Sequence, residues 1–469
     1  MGFSWAELFP EGALPEKRLR ERAIKIGLAS TERPGAAMTG AFDHWEDTRA
    51  AYDFFENERM SLAVLLEPPM RVVGQTLRGL PEGSTVLGVQ DTTEINLSHL
   101  NTMSGLGEIG NPKNQGLFLH PSLAVTTDGV PIGLLSTQIW TRPPSKHGKA
   151  KRRRAATFED KESLRWWTAI EHAEERVDRR GLLVHTSDRE SDIYELFTRA
   201  KAASYRLLVR ASRDRRVEGE HGTLWAQVGS FPSSNKHRTV SVPERPAKDG
   251  KPARAARETT VAIRYGAVAL RAPHGASGSV EMWAIEVSEV APPKGVEPID
   301  WLLLTLDPIT SFAEAWLRVE WYRCRWRIEE FFKVLKSGCR IEARQFESLG
   351  TFEVSLGISM LTAVHLLGLV KRARIEPDAP ANVVLSSDEE HVLIQHANTM
   401  RNREASPSLR LAEAVVLIAM LGGYKARACD GPPGWITLWR GYRRLSNLVE
   451  GYRLARPTSR RTLPKVKPR

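Results

Sequence analysis

The stretch Tyr322 to Lys336, YRCRWRIEEFFKVLK, gathers residue types that could serve phosphoryl transfer. It has good helix formers and no Gly or Pro, and Gly338 follows as a stop. At about 100° per residue, one helix would set Tyr322, Arg325, Glu329 and Lys336 at roughly 0°, 300°, 340° and 320°. Ile328, Phe331, Phe332 and Leu335 fall on the adjoining face, between roughly 180° and 280°. One face would dock on a core, and the next would present an acid between two cations and a phenol. A carboxylate can hold a divalent cation while Arg, Lys and a Tyr hydroxyl bind phosphate oxygens. An amphipathic helix with i,i+4 ion pairs accounts for the same charges without chemistry.

Two further acids stand where strands should end. Residues 84–91, STVLGVQD, are a short apolar run closing on Asp91, followed by Thr92-Thr93-Glu94. Residues 181–188, GLLVHTSD, close on Asp188, followed by Arg189-Glu190-Ser191-Asp192 and a helix. Residues 204–210 give the next strand, ending at Arg210, and runs 117–126 and 130–140 flank the hairpin signal Asp128-Gly129. Strands with acids at their ends and helices between them describe an α/β layer with its site at one sheet edge. A strand-end Asp can merely cap the next helix. Two of them plus a late Glu are what a two-metal site needs, with cations about 3.5–4 Å apart. Three hard oxygen ligands suit Mg²⁺, two per site, with Mn²⁺ as a substitute.

At 469 residues, 41% of them hydrophobic, the chain has enough apolar material for several folded domains. Net charge is +11, which favours a polyanionic partner without proving one. Cys324, Cys339 and Cys429 are scattered, so a disulfide framework or zinc site is not expected. No run of about 18 apolar residues is evident and the N-terminus lacks a leader pattern, so the expectation is a cytoplasmic protein without a membrane partner.

Residues 16–28 read as a helix with Leu19, Ala23 and Ile26 on one face and Arg18, Arg22 and Lys25 in a parallel basic stripe. A second helix covers 43–57. This helical segment could lie on DNA, although a solvated face reads equally well. Apolar runs at 238–243, 259–264, 266–271 and 279–289 predict an inserted β-domain, with a basic loop from Lys248 to Arg257. Trp301 opens the strand after it. Arg142 to Arg154 forms a second basic run. Residues 352–373 form an apolar helix expected to pack on the sheet. From Trp435 the residues Leu438, Tyr442, Leu445, Val449 and Tyr452 make an a/d seam, which could close inside its domain or between subunits. A basic tail follows Val449, expected to be disordered.

The pattern Tyr, two residues, Arg, three residues, Glu, six residues, Lys resembles the signature of DDE transposases of the insertion-sequence-four type, which cut and paste DNA through hairpin intermediates. Tyr322, Arg325, Glu329 and Lys336 occupy its four positions, and WRIEEF at 326–331 is similar too. The resemblance extends to Asp91 within DTT and Asp188 within DRE, strongest over 84–94, 181–211 and 301–350. It implies a ribonuclease-H-like core over 71–375, with an inserted β-domain at about 212–300. It further implies a helical DNA-binding domain at 1–70 and a helical dimerisation domain at 376–469. Asp91, Asp188 and Glu329 would be the catalytic, metal-binding triad. Tyr322, Arg325, Lys333, Lys336, Arg189 and Arg210 would hold DNA, Trp301 would stack on a flipped base, and Arg18, Arg22 and Lys25 would grip the element's ends. Partners would be double-stranded DNA and, when two ends are paired, a second subunit. A plain nuclease on the same fold, or a silent DNA-binding repressor, are the alternatives.

Overall fold

The strand β1 (Val86–Gln90) is buried at every position, as a central parallel strand must be. It lies in a sheet with β2 (Thr93–Asn96), β3 (Gly107–Ile109), β4 (Asn114–Thr126), β5 (Pro131–Trp140), β6 (Leu183–Ser187) and β7 (Arg206–Arg210). The sheet continues through β8 (Arg238–Val242), β9 (Arg257–Arg271), β10 (Ser279–Glu289) and β11 (Asp300–Thr305). The computed structural model describes residues 3–100, 103–110, 113–142, 158–159, 161–234, 236–242, 253–273, 277–401, 408–427 and 429–455.

Along the sheet the order is β2-β4-β1-β6-β7-β11-β10-β9-β8, with β3 and β5 also paired to β4. β1, β6 and β7 are mutually parallel, while β4 runs antiparallel to β1 and to β5. The expected α/β layer is therefore present, and its parallel strands carry the predicted acids just beyond their ends.

The strands of segment 212–300, expected as an inserted β-domain, extend the central sheet through β11, which pairs with β7 on one side and β10 on the other. One core joins both parts, since Trp166, Leu207 and Val209 share a cluster with Val268, Val280 and Leu304. The runs 259–264 and 266–271 are a single strand, β9. Gly266 lies mid-strand without breaking it, because the Phe231 ring covers the place its side chain would take. Of the basic loop, Lys248 and Lys251 lie outside the described residues, as does the run after Arg142 up to residue 157. Arg257 is not free but is paired to Glu289.

Glu289 is the anchor of this extension. Its buried carboxylate takes Arg257 Nη2 at 2.9 Å, the Thr259 hydroxyl at 2.6 Å and the Ile299 N–H at 3.0 Å. The Arg257 hydrogen bonds come first among the causes that bring its pKa down to about 2. A depressed carboxylate contributes stability above its unfolded value and loses it as pH falls through the folded one. Glu289→Gln should lower the melting temperature at pH 7, and the gap from wild type should shrink as pH falls from about 4.5 toward 2. A gap of constant size across that range would remove Glu289 from this role.

The chain divides into two compact units, one of Met1–Leu65, Lys333–Gln345 and Gly350–Arg469, the other of Leu66–Phe332 and Phe346–Leu349. In the first, the Lys17–Glu32 helix buries Leu19, Ala23 and Ile26 as expected. Lys25 pairs with Asp47, while Arg18 and Arg22 line a shallow recess with Asp53 and Asn57. The predicted seam is used inside this unit. Leu438, Tyr442, Leu445 and Val449 of the Trp435–Ala455 helix are buried in one cluster with Leu393, Leu417 and Ile418. Gly441 lets that helix touch the Ile418 carbonyl, where a Cβ would stand 1.6 Å away. The same helix meets the N-terminal part through Ser446, on the Glu32 carbonyl, and Glu450, 3.0 Å from Arg33. It runs on to Ala455, past the point where a disordered tail was expected; residues 456–469 lie outside the described set. The Leu349–Ile375 helix is long and apolar enough to cross a membrane, contrary to the sequence reading, yet 72% of its most apolar window is buried in the protein, as in a core helix.

Candidate active site

β1 and β6 pair in parallel with Val89 opposite Thr186. Carried two places further, that register sets Asp91 opposite Asp188, on neighbouring strands about 4.8 Å apart. Each acid is oriented by its own turn. The Thr92 N–H donates to Asp91 Oδ1 at 2.7 Å, and the Glu190 N–H to Asp188 Oδ1 at 2.9 Å. Asp188 thus also caps the short 3-10 turn Arg189–Ser191. Capping and a place opposite Asp91 coexist.

The third acid arrives differently from the single-helix expectation. Helix Phe312–Arg323 ends, Cys324 and Arg325 turn through i→i+3 hydrogen bonds, and a new helix, Trp326–Lys333, carries Glu329. A π-helical turn, Val334–Gly338, follows and carries Lys336. The uniform 100° step therefore fails at both ends of the motif. Arg325 nevertheless reaches both sides. Its Nη1 donates to Asp91 Oδ2 and its Nη2 to Glu329 Oε1, each at 3.1 Å. Lys333 and Lys336 belong to the other compact unit, with Lys336 3.7 Å from Glu342.

The new helix is tethered to the β4–β5 hairpin. Cys324 Sγ lies 3.5 Å from the Thr127 carbonyl, and Arg327 Nε donates to the Gly129 carbonyl at 3.0 Å. Arg327 Nη1 meets Glu330 Oε2 at 2.8 Å, so Glu330 braces this tether and does not join the acids. Gly129 has φ +92°, and a Cβ there would lie 2.9 Å from Arg327 Nε. Gly129→Ala should destabilise the protein by roughly 1 kcal/mol or more and slow cleavage by loosening the Glu329 helix. Full activity at an unchanged melting temperature would refute the tether.

Burial comes first among the causes that push the Asp91 carboxyl up to about 7, followed by the neighbouring Asp188 charge; Arg325 opposes them. Burial works against the Arg325 charge, but Tyr322, Asp91, Glu329 and Asp188 outweigh it and hold the guanidinium's pKa above its usual value. Tyr322 is buried, which pushes its hydroxyl up, and it lies within hydrogen-bonding reach of Arg325 and Arg210. Arg210 also donates to the Asp300 carbonyl at 2.9 Å.

Trp301 stands edge-on to Tyr322, with ring centroids 5.6 Å apart and planes at 64°. It is only part-buried, and it lines a cavity of about 740 Å³ together with Arg189, Arg210, Tyr322, Arg325 and Trp326. Trp326 is 48% exposed beneath the Arg325 guanidinium, 5.3 Å from its ring. Sequence reasoning gave neither Trp326 nor Arg327 a role. Arg327's partner is 198 residues away, so only the fold exposes it.

Three family models match the chain: Transposase DNA-binding over residues 4–60, Transposase DDE domain over 233–364, and Transposase Tn5 dimerisation domain over 361–462. These are the domains of a DDE transposase. The core is accordingly ribonuclease-H-like, the enzyme a metal-dependent one of DNA transposition, and its partners DNA and a second subunit. The transposase DDE match contains Glu329, Tyr322, Arg325 and Trp301 but starts after Asp91 and Asp188, so those two acids rest on the sheet register.

Among the described residues, no three His, Cys, Asp or Glu side chains gather closely enough to hold a metal ion. The donor types nonetheless fit a hard divalent cation. Asp91 and Asp188 repel each other in a buried edge, which a cation would relieve. Glu329 is kept in the transposase's own Arg325 bridge and is 44% exposed, against 14% for Asp91.

Proposed function

We propose that the protein excises a mobile element by nicking and hairpin formation and joins its 3′ ends to target DNA, with Asp91, Asp188 and Glu329 as the metal-holding triad. The observation that carries this is the Arg325 bridge between Asp91 and Glu329, beside a basic cavity walled by Trp301 and Tyr322. When bound, Mg²⁺, two per site and replaceable by Mn²⁺, would polarise the attacking oxygen and neutralise the leaving one. The side chains do the rest. Asp91 and Asp188 would supply their carboxylates from adjacent strand ends. Arg325, once drawn off the acids by a phosphate, grips the reacting strand with Tyr322, Arg210 and Arg189. Lys333 and Lys336 add cations to the DNA path. Trp301 offers its face to a base extruded as the nicked end folds back on itself.

Arg18 and Arg22, with Lys25 to a lesser degree given its Asp47 partner, would contact the element's ends as part of a helical region within residues 1–70. Two ends are held by a homodimer formed through residues 376–469, on a surface other than the consumed seam. The cytoplasm is the proposed location. The test is to incubate the full chain with the DNA flanking its own gene and Mg²⁺. Hairpin-ended products and joined 3′ ends are expected. Nicks alone would make it a nuclease, and bound but uncut DNA would make it a repressor.

A further inference from the structure

Arg165 lies outside every motif read from the sequence, yet it touches the turns of both strand-end acids. It is the second residue of the Leu164–Val177 helix, and its side chain is 15% exposed. Its Nε donates to the Thr92 hydroxyl at 2.9 Å, and the Thr92 N–H in turn holds Asp91. Its Nη2 donates to Glu190 Oε2 at 2.8 Å, and the Glu190 N–H holds Asp188. The third arm, Nη1, donates to the Glu162 carbonyl at 2.9 Å. The guanidinium carbon lies 5.2 Å from the Trp166 ring and 5.7 Å from Trp140, so it is walled as well as bonded.

The direction of the hydrogen bonds beyond Thr92 is set at their far end. The Gln90 amide oxygen can only accept, so His120 donates to it through Nε2 at 3.2 Å. A neutral His120 then accepts at Nδ1 from the Thr92 hydroxyl, 2.9 Å away, and Thr92 keeps a lone pair for Arg165. His120 is fully buried, edge-on to Trp166, and burial followed by the Arg165 charge holds it neutral, as this relay requires. The charges around Arg165 are Glu190, Glu162 and Arg142, the last itself bound to Glu162 at 2.6 Å. The result is a continuous rod from Gln90, on β1, through His120, Thr92 and Arg165 to Glu190.

We propose that Arg165 is a positioning residue that fixes the Asp91 and Asp188 turns relative to each other, so that two carboxylates converge on one cation. It rests on the reading that these acids are metal ligands. The Glu190 arm is 60% exposed and therefore weak, so the Thr92 arm carries most of the effect.

The experiment uses the full chain and Mn²⁺ alone, counted by electron paramagnetic resonance without DNA, beside the Mn²⁺ dependence of nicking and a melting curve. Arg165→Met and Thr92→Val should each raise the half-saturating Mn²⁺ concentration by about 10-fold or more, within the 10–100-fold typical of outer partners. Maximal nicking at saturating Mn²⁺ should fall much less. Arg165→Lys, keeping the charge but unable to span both turns, should fall between. Wild-type Mn²⁺ binding in folded Arg165→Met or Thr92→Val would overturn the proposal. So would a rate loss equal at all Mn²⁺ concentrations and matched by lost stability. Asp91→Asn and Asp188→Asn run alongside. If they bind Mn²⁺ like wild type, the ligand reading itself fails; if they lose it while Arg165→Met does not, only the positioning role does.

Discussion

Asp91→Asn should abolish strand cleavage while leaving the metal-free protein at pH 8 as stable as wild type, or more so. The two outcomes have separate causes. Activity is lost because an amide cannot replace a carboxylate charge beside Asp188, and the loss should exceed the roughly 100-fold that an outer partner costs. Stability is kept because the fold disfavours the ionised Asp91: its pKa stands at about 7, raised by burial and by Asp188. A raised carboxyl lends stability below its unfolded pKa and loses it as pH climbs through the folded value, so wild type weakens between about pH 4 and 7. The amide mimics the protonated acid and escapes that loss. A melting series at pH 5 and pH 8 should show the variant gaining on wild type as pH rises. Glu330→Gln, whose amide oxygen can still accept from Arg327 and keep the tether braced, should keep cleaving. Near-normal cleavage by Asp91→Asn would remove the residue from the triad.

Trp301→Ala should slow hairpin formation by about one to two decades with little change in the first nick. Folding the nicked end back on itself extrudes a base at a cost of a few kcal/mol, and an aromatic face recovers roughly 1–3 kcal/mol of that. About 1.4 kcal/mol is tenfold in rate. A buried core tryptophan would instead cost about 3–5 kcal/mol of stability and harm every step alike. Its part-buried place on the cavity wall, edge-on to Tyr322, favours the selective outcome. Timed gels resolving nicked from hairpin strands, beside a melting curve, decide between them. An unchanged nick-to-hairpin ratio in a folded variant would end the stacking role.

The strand-end acids were legible because apolar runs ending in Asp are a local signal, and a parallel register does the rest. The Tyr-Arg-Glu spacing was legible as a motif but not as a geometry. A uniform helix hid the turn at Cys324 and the π-helical turn at Lys336, since neither carries a Gly or Pro within it to announce the change until Gly338. That the strands of the inserted segment extend the central sheet was not legible, because strand order is set by long-range pairing, here β11 against β7, which no local pattern encodes. The seam from Leu438 to Val449 had two readings by period alone; the partners that bury it, Leu393, Leu417 and Ile418, lie on other helices. Arg165 was silent for the same reason, with Thr92 73 positions away.

The bond from Ser446 to the Glu32 carbonyl spans 414 positions of chain. It joins the two ends of a unit whose pieces are separated in sequence by nearly all of the other. Residues 66–332 are contiguous and can complete their contacts as soon as they are available. The first helices must wait for the last one. Loop-closure entropy grows only slowly with length, by about 0.6 kcal/mol per doubling, so the penalty falls on the rate more than on the final stability. Refolding should therefore be biphasic, with the sheet forming ahead of the terminal unit, and the DNA-binding helices should reach their final packing in the later phase.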